Sequence, residues 1–200
     1  VHEVSLDVAA GAVTGLIGPN GAGKTTLFNV ITGLQAPTHG RVRLDGVDIT
    51  GWSAARRARA GIARTFQRLE VFGSLSVRDN VLTAAELHRG FTSSTPPATQ
   101  QRRRRRRAGY APPAAAVVDE LLARVGAAAY AEAPADAVPT GVARLVEVAR
   151  ALAISPKVLL LDEPSSGLSP TETETFGQLL RDLAAGGTAV LLVEHDVDLV

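Results

Sequence analysis

The stretch Gly18-Pro19-Asn20-Gly21-Ala22-Gly23-Lys24-Thr25 fits the pattern G-x-x-x-x-G-K-[ST]. It follows a strand-like segment, residues 12–17, and opens a helix-like segment, residues 24–32, which is the context that this pattern requires. Glycines let successive backbone N–H groups point at phosphate oxygens, and the helix adds its positive end. The sequence therefore predicts a phosphate-binding loop, and an ordinary glycine-rich turn is the alternative.

Two side chains of this loop have separate expected roles. Lys24 supplies a mobile charge to the β- and γ-phosphates, and the Thr25 hydroxyl is a candidate ligand of Mg²⁺. Lysine is rare in this chain, since only Lys24 and Lys157 occur among 21 basic residues, so its presence here stands out. The predicted nucleotide-binding residues of the loop are Gly18, Pro19, Asn20, Gly21, Ala22, Gly23, Lys24, Thr25 and Thr26.

A pair of carboxylates, Asp162 and Glu163, follows the continuous apolar run of residues 158–161. Such a run is typical of a strand buried in a parallel sheet, and open α/β sheets bind ligands at the carboxyl ends of their strands. Asp162 is expected to orient Mg²⁺ or its water shell, and Glu163 to polarise the water that attacks the γ-phosphate. An acidic pair alone is more often a solvated strand end, but the phosphate loop favours the functional interpretation.

Strand-like and helix-like segments alternate along the chain, which predicts an α/β fold with a mostly parallel core sheet and a small antiparallel part. The helical pattern dominates an insert between about residues 70 and 155, within which residues 90–113 are polar and typical of an exposed, disordered insertion. The predicted strands are 4–8, 12–17, 41–44, 158–161 and 189–193. The predicted helices are 24–32, 53–63, 76–87, 114–125, 142–153 and one from Ser169 to Gly186-Gly187.

Composition excludes several classes of protein. The 200 residues, 46% of them hydrophobic, suffice for one domain with a sizeable core, and the lack of cysteine excludes disulfides and fits cytosolic exposure. The net charge of +1 includes six arginines at residues 102–107, so the remaining residues carry a net charge of −5. This run is either a solvated insertion or a contact for lipid headgroups or an acidic partner. Without interleaved aromatic residues, nucleic acid is not an expected partner.

Six motifs in a fixed order resemble the ATP-binding domain of ABC transporters, a P-loop NTPase. The resemblance spans nearly the whole chain, which is interpreted as a single such domain at residues 1–200, truncated at both ends. The motifs are the loop at residues 18–25, Gln67 after Arg64-Thr65-Phe66, the segment at residues 138–144, the acidic strand end at Asp162 and Glu163, the loop at residues 165–169, and His195.

The resemblance implies a role for each matching residue. Gln67 resembles the glutamine that senses Mg²⁺ and the attacking water and that links to the membrane subunit, so it is a candidate catalytic residue and metal ligand. His195 resembles the histidine that contacts the γ-phosphate and, with Glu163, completes the candidate catalytic set. Thr140 and Gly141 lie in the segment that resembles the family signature, which contacts the γ-phosphate of ATP held by the opposite subunit.

Two motifs depart from the general family pattern. Val138-Pro139-Thr140-Gly141-Val142 stands where Leu-Ser-Gly-Gly-Gln is usual, and the loop at residues 165–169 lacks the aspartate of Ser-Ala-Leu-Asp. Thr140 is the candidate to supply the missing hydroxyl. These departures leave a catalytically degenerate regulatory domain as an alternative. A non-transport relative acting in DNA repair or translation is a further alternative.

Residues 18–29, residues 61–67 and Glu194-His195-Asp196 are similar to the ATP-binding subunits of branched-chain amino acid importers. This resemblance implies an ATPase with ATP and Mg²⁺ as cofactors that forms a head-to-tail dimer with a second ATP-binding subunit. It also implies transmembrane permease subunits or a fused permease domain as partners, with a solute-binding protein acting indirectly. The implied location is the cytoplasmic face of a prokaryotic cell membrane.

Overall fold

A four-stranded parallel sheet in the order β1-β6-β5-β4 forms the centre of the molecule in the computed structural model, which describes residues 3–93 and 113–194. A separate antiparallel hairpin pairs β2 with β3. The strands are β1 Val13–Leu16, β2 Arg43–Leu44, β3 Val47–Asp48, β4 Ile62–Arg64, β5 Val158–Asp162 and β6 Ala189–Val193. The helices are α1 Lys24–Thr32, α2 Ala54–Arg59, α3 Val77–Ser93, α4 Ala114–Arg124, α5 Thr140–Leu152 and α6 Pro170–Ala185, with a 3₁₀ turn at Ala128–Tyr130.

The two central strands are buried on both faces, which explains their continuous apolar sequences. Leu159 and Leu161 of β5 pack into the larger hydrophobic cluster, whereas Leu160 between them packs into the smaller one on the opposite face. The register places Leu160 beside Leu191 of β6. Each fully buried leucine of this kind contributes roughly 1.5–3 kcal/mol through the hydrophobic effect. The α/β class and the mixture of parallel and antiparallel sheets are therefore confirmed.

Local sequence signals set several of the helix ends. The loop after β1 leads into α1, which ends at Gly33 in the left-handed conformation, as the sequence predicted. Helix α6 begins with the predicted capping box, in which the Ser169 hydroxyl accepts the Glu172 N–H and the Glu172 carboxylate accepts the Ser169 N–H. Helices α3, α4 and α5 pack on one another beside the sheet.

Two predicted elements are wrong. Residues 4–8 form no strand, and the helix predicted at residues 53–63 ends at Arg59. Gly61 has a φ of 104°, which stops the helix, and Ile62–Arg64 then pairs with β5 as an additional parallel strand. The arginine- and alanine-rich local pattern favours a helix, but pairing with a fully buried strand overrides that weak preference.

Part of the predicted insertion can be located. Helix α3 continues through residues 90–93, whereas residues 94–112, with the arginine run at 102–107, and His195 lie outside the described residues. The limits of the helical subdomain stay a prediction. In residues 3–93 and 113–194, no helix is both long and apolar enough to cross a membrane.

A buried arginine, Arg57, donates hydrogen bonds to the C-terminal end of α1. Arg57 is 1% exposed, and its guanidinium donates to the carbonyls of Val30 at 2.6 Å, Ile31 at 2.8 Å and Thr50 at 2.7 Å. Burial lowers the pKa of this guanidinium. Since the last carbonyls of a helix have no partner within the helix, Arg57 satisfies them and ties α1 to α2 and the hairpin.

Replacing Arg57 with Met should lower the free energy of unfolding by about 3 kcal/mol, because several buried carbonyls lose a charged donor at once. Urea denaturation followed by circular dichroism measures this loss. The matched control is Arg124→Met at the exposed end of α4, which should change stability by about 0.5 kcal/mol or less. Equal effects of the two substitutions would contradict the role given to Arg57.

Candidate functional site

The phosphate loop, Gln67, Asp162 and Glu163 lie at one edge of the parallel sheet because all four strands end there. The loop at residues 18–25 follows β1, Gln67 follows β4, and Glu194 follows β6 directly. Asp162 is the last residue of β5, and Glu163 comes next. Since β6 and β5 lie between β1 and β4, residues from distant parts of the sequence meet at the crevice where such sheets bind ligands.

The phosphate loop leaves the start of α1 open. Gly23 caps this helix with a φ of 93°, a left-handed conformation that favours glycine, and no side-chain capping hydrogen bond forms there within residues 3–93 and 113–194. The Lys24 ammonium folds back on the loop and donates to the carbonyls of Gly18 and of Pro19, the latter at 3.0 Å. The loop thus offers N–H donors and a mobile cation, the combination that binds phosphate groups.

Asp162 is held by a buried ion pair. Its Oδ2 lies 3.3 Å from Nη2 of Arg64, and both side chains are almost fully buried. Burial raises the pKa of the Asp162 carboxyl, and the positive charge of Arg64 acts in the opposite direction. Nη1 of the same guanidinium donates to the Asn29 side-chain oxygen of α1 at 2.6 Å. The acidic strand end is therefore connected to the helix that the phosphate loop opens.

Gln67 and Glu163 meet across the crevice. Nε2 of Gln67 donates to Oε2 of Glu163 at 3.2 Å, although the two residues are far apart in the sequence. Glu163 has a φ of 49°, an unusual value for a residue other than glycine, and its N–H donates to the Val193 carbonyl at 2.9 Å. This turn of the backbone redirects the chain just after β5, which is typical of functional sites. The structure thus brings together the two residues predicted to handle the attacking water.

Side chains on one face of α5 form hydrogen bonds with the backbone around Gln67. Arg144 donates from Nη1 to the Phe66 carbonyl at 3.0 Å and from Nη2 to the Gln67 carbonyl at 2.6 Å. One turn further, the Glu147 carboxylate accepts the Glu70 N–H at 2.6 Å. Burial raises the pKa of Glu147. We call residues 66–70 the glutamine segment; it is fixed to α5 because Arg144 donates hydrogen bonds to its backbone and Glu147 accepts one from it.

The start of α5 packs on the loop at residues 165–169. A Cβ atom on Gly141 would lie 2.8 Å from the Gly167 carbonyl oxygen, too close for any side chain, so glycine is required at this position. The Thr140 side chain lies beside Gly167, which has a φ of 87°. Pro139 caps α5 without a side-chain hydrogen bond. Thr140 and Gly141 therefore adjoin the second motif that departs from the family pattern.

Glu194 is a site residue whose role the sequence interpretation missed. It is 4% exposed and accepts hydrogen bonds from the N–H of Ser165 at 3.0 Å and from its hydroxyl at 2.6 Å. Glu194 immediately precedes His195, which lies outside the described residues. Arg64 and Asn29 were likewise assigned no role. The signal was available for Glu194, because it directly follows a buried strand of the same sheet.

The residues at this edge could hold a hard cation. Thr25 offers a hydroxyl, Asp162 a carboxylate and Gln67 an amide oxygen, the oxygen ligands that Mg²⁺ accepts alongside phosphate groups and water. Every donor in this set is an oxygen, and the chain lacks cysteine, so the set suits Mg²⁺ better than a soft metal. The site thus fits a cation that is shared between protein and phosphate.

Comparison with known protein families places residues 1–166 in a family described as ABC transporter. Among curated proteins, the branched-chain amino acid transport ATP-binding protein BraF of Pseudomonas aeruginosa is 38% identical over 201 residues, covering 100% of this chain and 77% of that protein. Its counterpart LivG of Escherichia coli is 36% identical over 206 residues, with the same two coverages. The lipopolysaccharide export ATP-binding protein LptB of Acidithiobacillus ferridurans is 38% identical, covering 98% of this chain and 74% of that protein.

Solved structures agree with this assignment. An ATP-binding cassette of an ABC transporter, MJ1267, superimposes with a TM-score of 0.78 at 32% identity, covering 98% of this chain and 75% of that one. The cassette MJ0796, solved as a dimer, gives a TM-score of 0.80 at 25% identity, covering 97% of this chain and 79% of that one. The phosphate loop, the acidic strand end and the glutamine segment occur here within the same fold. The chain therefore belongs to the ABC transporter family, as its ATP-binding cassette and ATPase.

Proposed function

We propose that this cassette hydrolyses ATP with Mg²⁺ to drive the import of branched-chain amino acids. The observation that carries the chemical part is the meeting of Gln67 and Glu163, 3.2 Å apart, next to Asp162 and on the same sheet edge as the phosphate loop. Water activation, charge neutralisation and phosphate binding are then available in one crevice, which phosphoryl transfer requires.

Each residue has a defined task in this proposal. The N–H groups of the loop at residues 18–25 and the Lys24 ammonium hold the β- and γ-phosphates, with the Thr26 hydroxyl close by in α1. Thr25, Asp162 and Gln67 would hold Mg²⁺, which would supply positive charge to neutralise the phosphates. Glu163 accepts a proton from water as the water oxygen bonds to the γ-phosphorus. The bond to the bridging oxygen breaks, which gives ADP and phosphate.

The second half of the site comes from a second cassette in a head-to-tail dimer. Thr140 and Gly141 stand at the start of α5, which no side chain in the described part of the chain caps, so its N–H groups suit the γ-phosphate of a nucleotide held by the other subunit. Support comes from the similar cassette MJ0796, which was solved as a dimer. His195 is proposed to contact the γ-phosphate of its own subunit, by its family resemblance.

The permease is proposed to bind at a groove beside the glutamine segment. This groove has a volume of about 330 Å³ and lies between α1, α2 and β4 on one side and α3 and α5 on the other. Two of its apolar lining residues are well exposed, Leu34 at 56% and Phe66 at 39%. Because Phe66 precedes Gln67, a permease helix in this groove would contact the segment that carries the water-handling glutamine. Such binding would place the cassette on the cytoplasmic face of the membrane.

The proposed solute rests on similarity to BraF and LivG, and the similarity to LptB makes lipopolysaccharide export the competing assignment. A direct test deletes the gene for this chain in its own host and measures uptake of radiolabelled leucine, isoleucine and valine. Loss of uptake that is restored by the wild-type gene supports import. Unchanged uptake together with a defect in surface lipopolysaccharide would overturn it.

Substituting Glu163 with Gln should lower the ATPase kcat of the assembled transporter about 100-fold or more, since the amide cannot accept the proton from water. ATP affinity should stay within about twofold, because phosphate binding does not depend on this carboxylate. Phosphate release and nucleotide titration measure the two quantities. Glu120→Gln, at an exposed position of α4, is the matched control, and normal turnover in Glu163→Gln would rule out the proposed base.

A further variant, Arg144→Lys, tests whether the hydrogen bonds from α5 position the glutamine segment. One ammonium cannot reproduce the two parallel bonds to the Phe66 and Gln67 carbonyls, so Gln67 should lose its fixed position. We expect kcat to fall about tenfold or more, with little change in ATP affinity and melting temperature. Arg124→Lys on α4 serves as the control. A parallel fall in kcat and melting temperature would instead assign Arg144 to stability alone.

A further inference from the structure

Arg64 occupies a position where three parts of the site meet. Its guanidinium contacts Asp162 of β5 at 3.3 Å and Asn29 of α1 at 2.6 Å. It also lies against two aromatic rings, at 5.3 Å from the centre of Phe28 and 4.9 Å from that of Phe66. Through these contacts one side chain links the acidic strand end, the helix of the phosphate loop and the glutamine segment.

Burying the Arg64 guanidinium costs free energy of folding. The Arg64 side chain is only 5% exposed, and no residue that the structure describes accepts a hydrogen bond from its buried Nε. Burial lowers the pKa of the guanidinium, whereas the ion pair with Asp162 acts in the opposite direction. Buried ion pairs often stabilise a protein no more than apolar residues of equal volume would. Stability alone therefore gives a weak reason for an arginine at this position.

The contacts of Arg64 instead fix the orientation of the Asp162 carboxylate. The guanidinium is planar and donates from two nitrogens in fixed directions, so anchoring Nη1 on Asn29 sets where Nη2 can lie. Nη2 in turn contacts one carboxylate oxygen, Oδ2, so that Oδ1 carries no hydrogen bond from Arg64. The two flanking rings restrict rotation of the guanidinium out of this plane.

We propose that Arg64 is a positioning residue that fixes the orientation of the Asp162 carboxylate for Mg²⁺ and its position relative to α1. Groups that orient a metal ligand from behind typically contribute 10–100-fold to metal affinity or activity. This inference rests on the proposed function, since it takes Asp162 as a ligand of Mg²⁺. It adds that the orientation of this ligand is set by Arg64 and Asn29 rather than by β5 alone.

The test measures binding of a non-hydrolysable ATP analogue to the purified full chain as Mg²⁺ is varied. In Arg64→Met, the Mg²⁺ concentration for half-maximal enhancement of binding should rise about 10–100-fold, whereas affinity without Mg²⁺ should stay within about twofold. Arg64→Lys should recover little, because one ammonium cannot span Asn29 and Asp162. Arg78→Met removes two more exposed ion pairs, with Asp119 at 2.8 Å and with Glu132 at 3.8 Å, and should change neither value.

A milder variant covers the case in which Arg64→Met does not fold. Asn29→Ala removes only the anchor of Nη1, and it should raise the Mg²⁺ requirement several-fold while the melting temperature changes little. Equal losses of affinity with and without Mg²⁺ would overturn the inference in favour of a structural role. A lowered Mg²⁺ requirement would also overturn it, because Arg64 would then be a competitor of the cation.

Failure of the proposed function would look different. If nucleotide binding by the wild-type chain did not respond to Mg²⁺ at all, Asp162 would not be a ligand of Mg²⁺. Both the proposed function of Asp162 and the positioning role of Arg64 would then be refuted. If the wild type responds and the variants at Arg64 and Asn29 respond at the same concentration, only the positioning role is refuted. Thermal melting of each variant, recorded in the same buffer, separates both results from loss of folding.

Discussion

The pairing of β5 with a parallel strand on each side is the constraint on which the rest of the structure depends. Because β5 lies between β4 and β6, it must be apolar on both faces, and its carboxyl end must meet theirs at one edge. The polar residues that follow these strands therefore converge without being close in sequence. Asp162, Glu163, Gln67 and Glu194 share one crevice for this reason, and the phosphate loop joins them through β1.

Buried charge at this edge is compensated by partners from other elements. Asp162 is paired with Arg64, and Glu147 accepts the Glu70 N–H and lies 3.7 Å from Arg144. Burial raises the pKa of both carboxyls, because desolvation disfavours the charged form. The neighbouring arginines act in the opposite direction and favour the charged carboxylates. Such networks add little net stability, but they fix geometry. The site is thus held by directional contacts that link α1, β4, β5 and α5 into one unit.

Helix α5 explains how the departures from the family signature are accommodated. Gly141 is required because the Gly167 carbonyl leaves no space for a side chain, and Arg144 is required to hold the glutamine segment. Val142 is buried in the core, where an apolar side chain is favoured. Thr140 packs on Gly167 through its side chain. Gly141 thus keeps the glycine of the general pattern at the position of closest backbone contact, whereas the altered positions Thr140 and Val142 make side-chain packing contacts.

The sequence by itself determined the phosphate loop, the buried strands β5 and β6 and the capping box of α6, because each depends on a local pattern that one segment carries alone. It also determined the family, because the order of six motifs along the chain can be read without knowing how they fold together. It assigned residues 62 and 63 to a helix and residues 4–8 to a strand, since strand pairing is a non-local interaction that local propensity does not contain. Only the tertiary structure decided that Arg64 joins Asn29 to Asp162 and that Glu194 binds Ser165. A buried polar contact forms between elements whose relative placement is set by the sheet, so no single stretch of sequence specifies it.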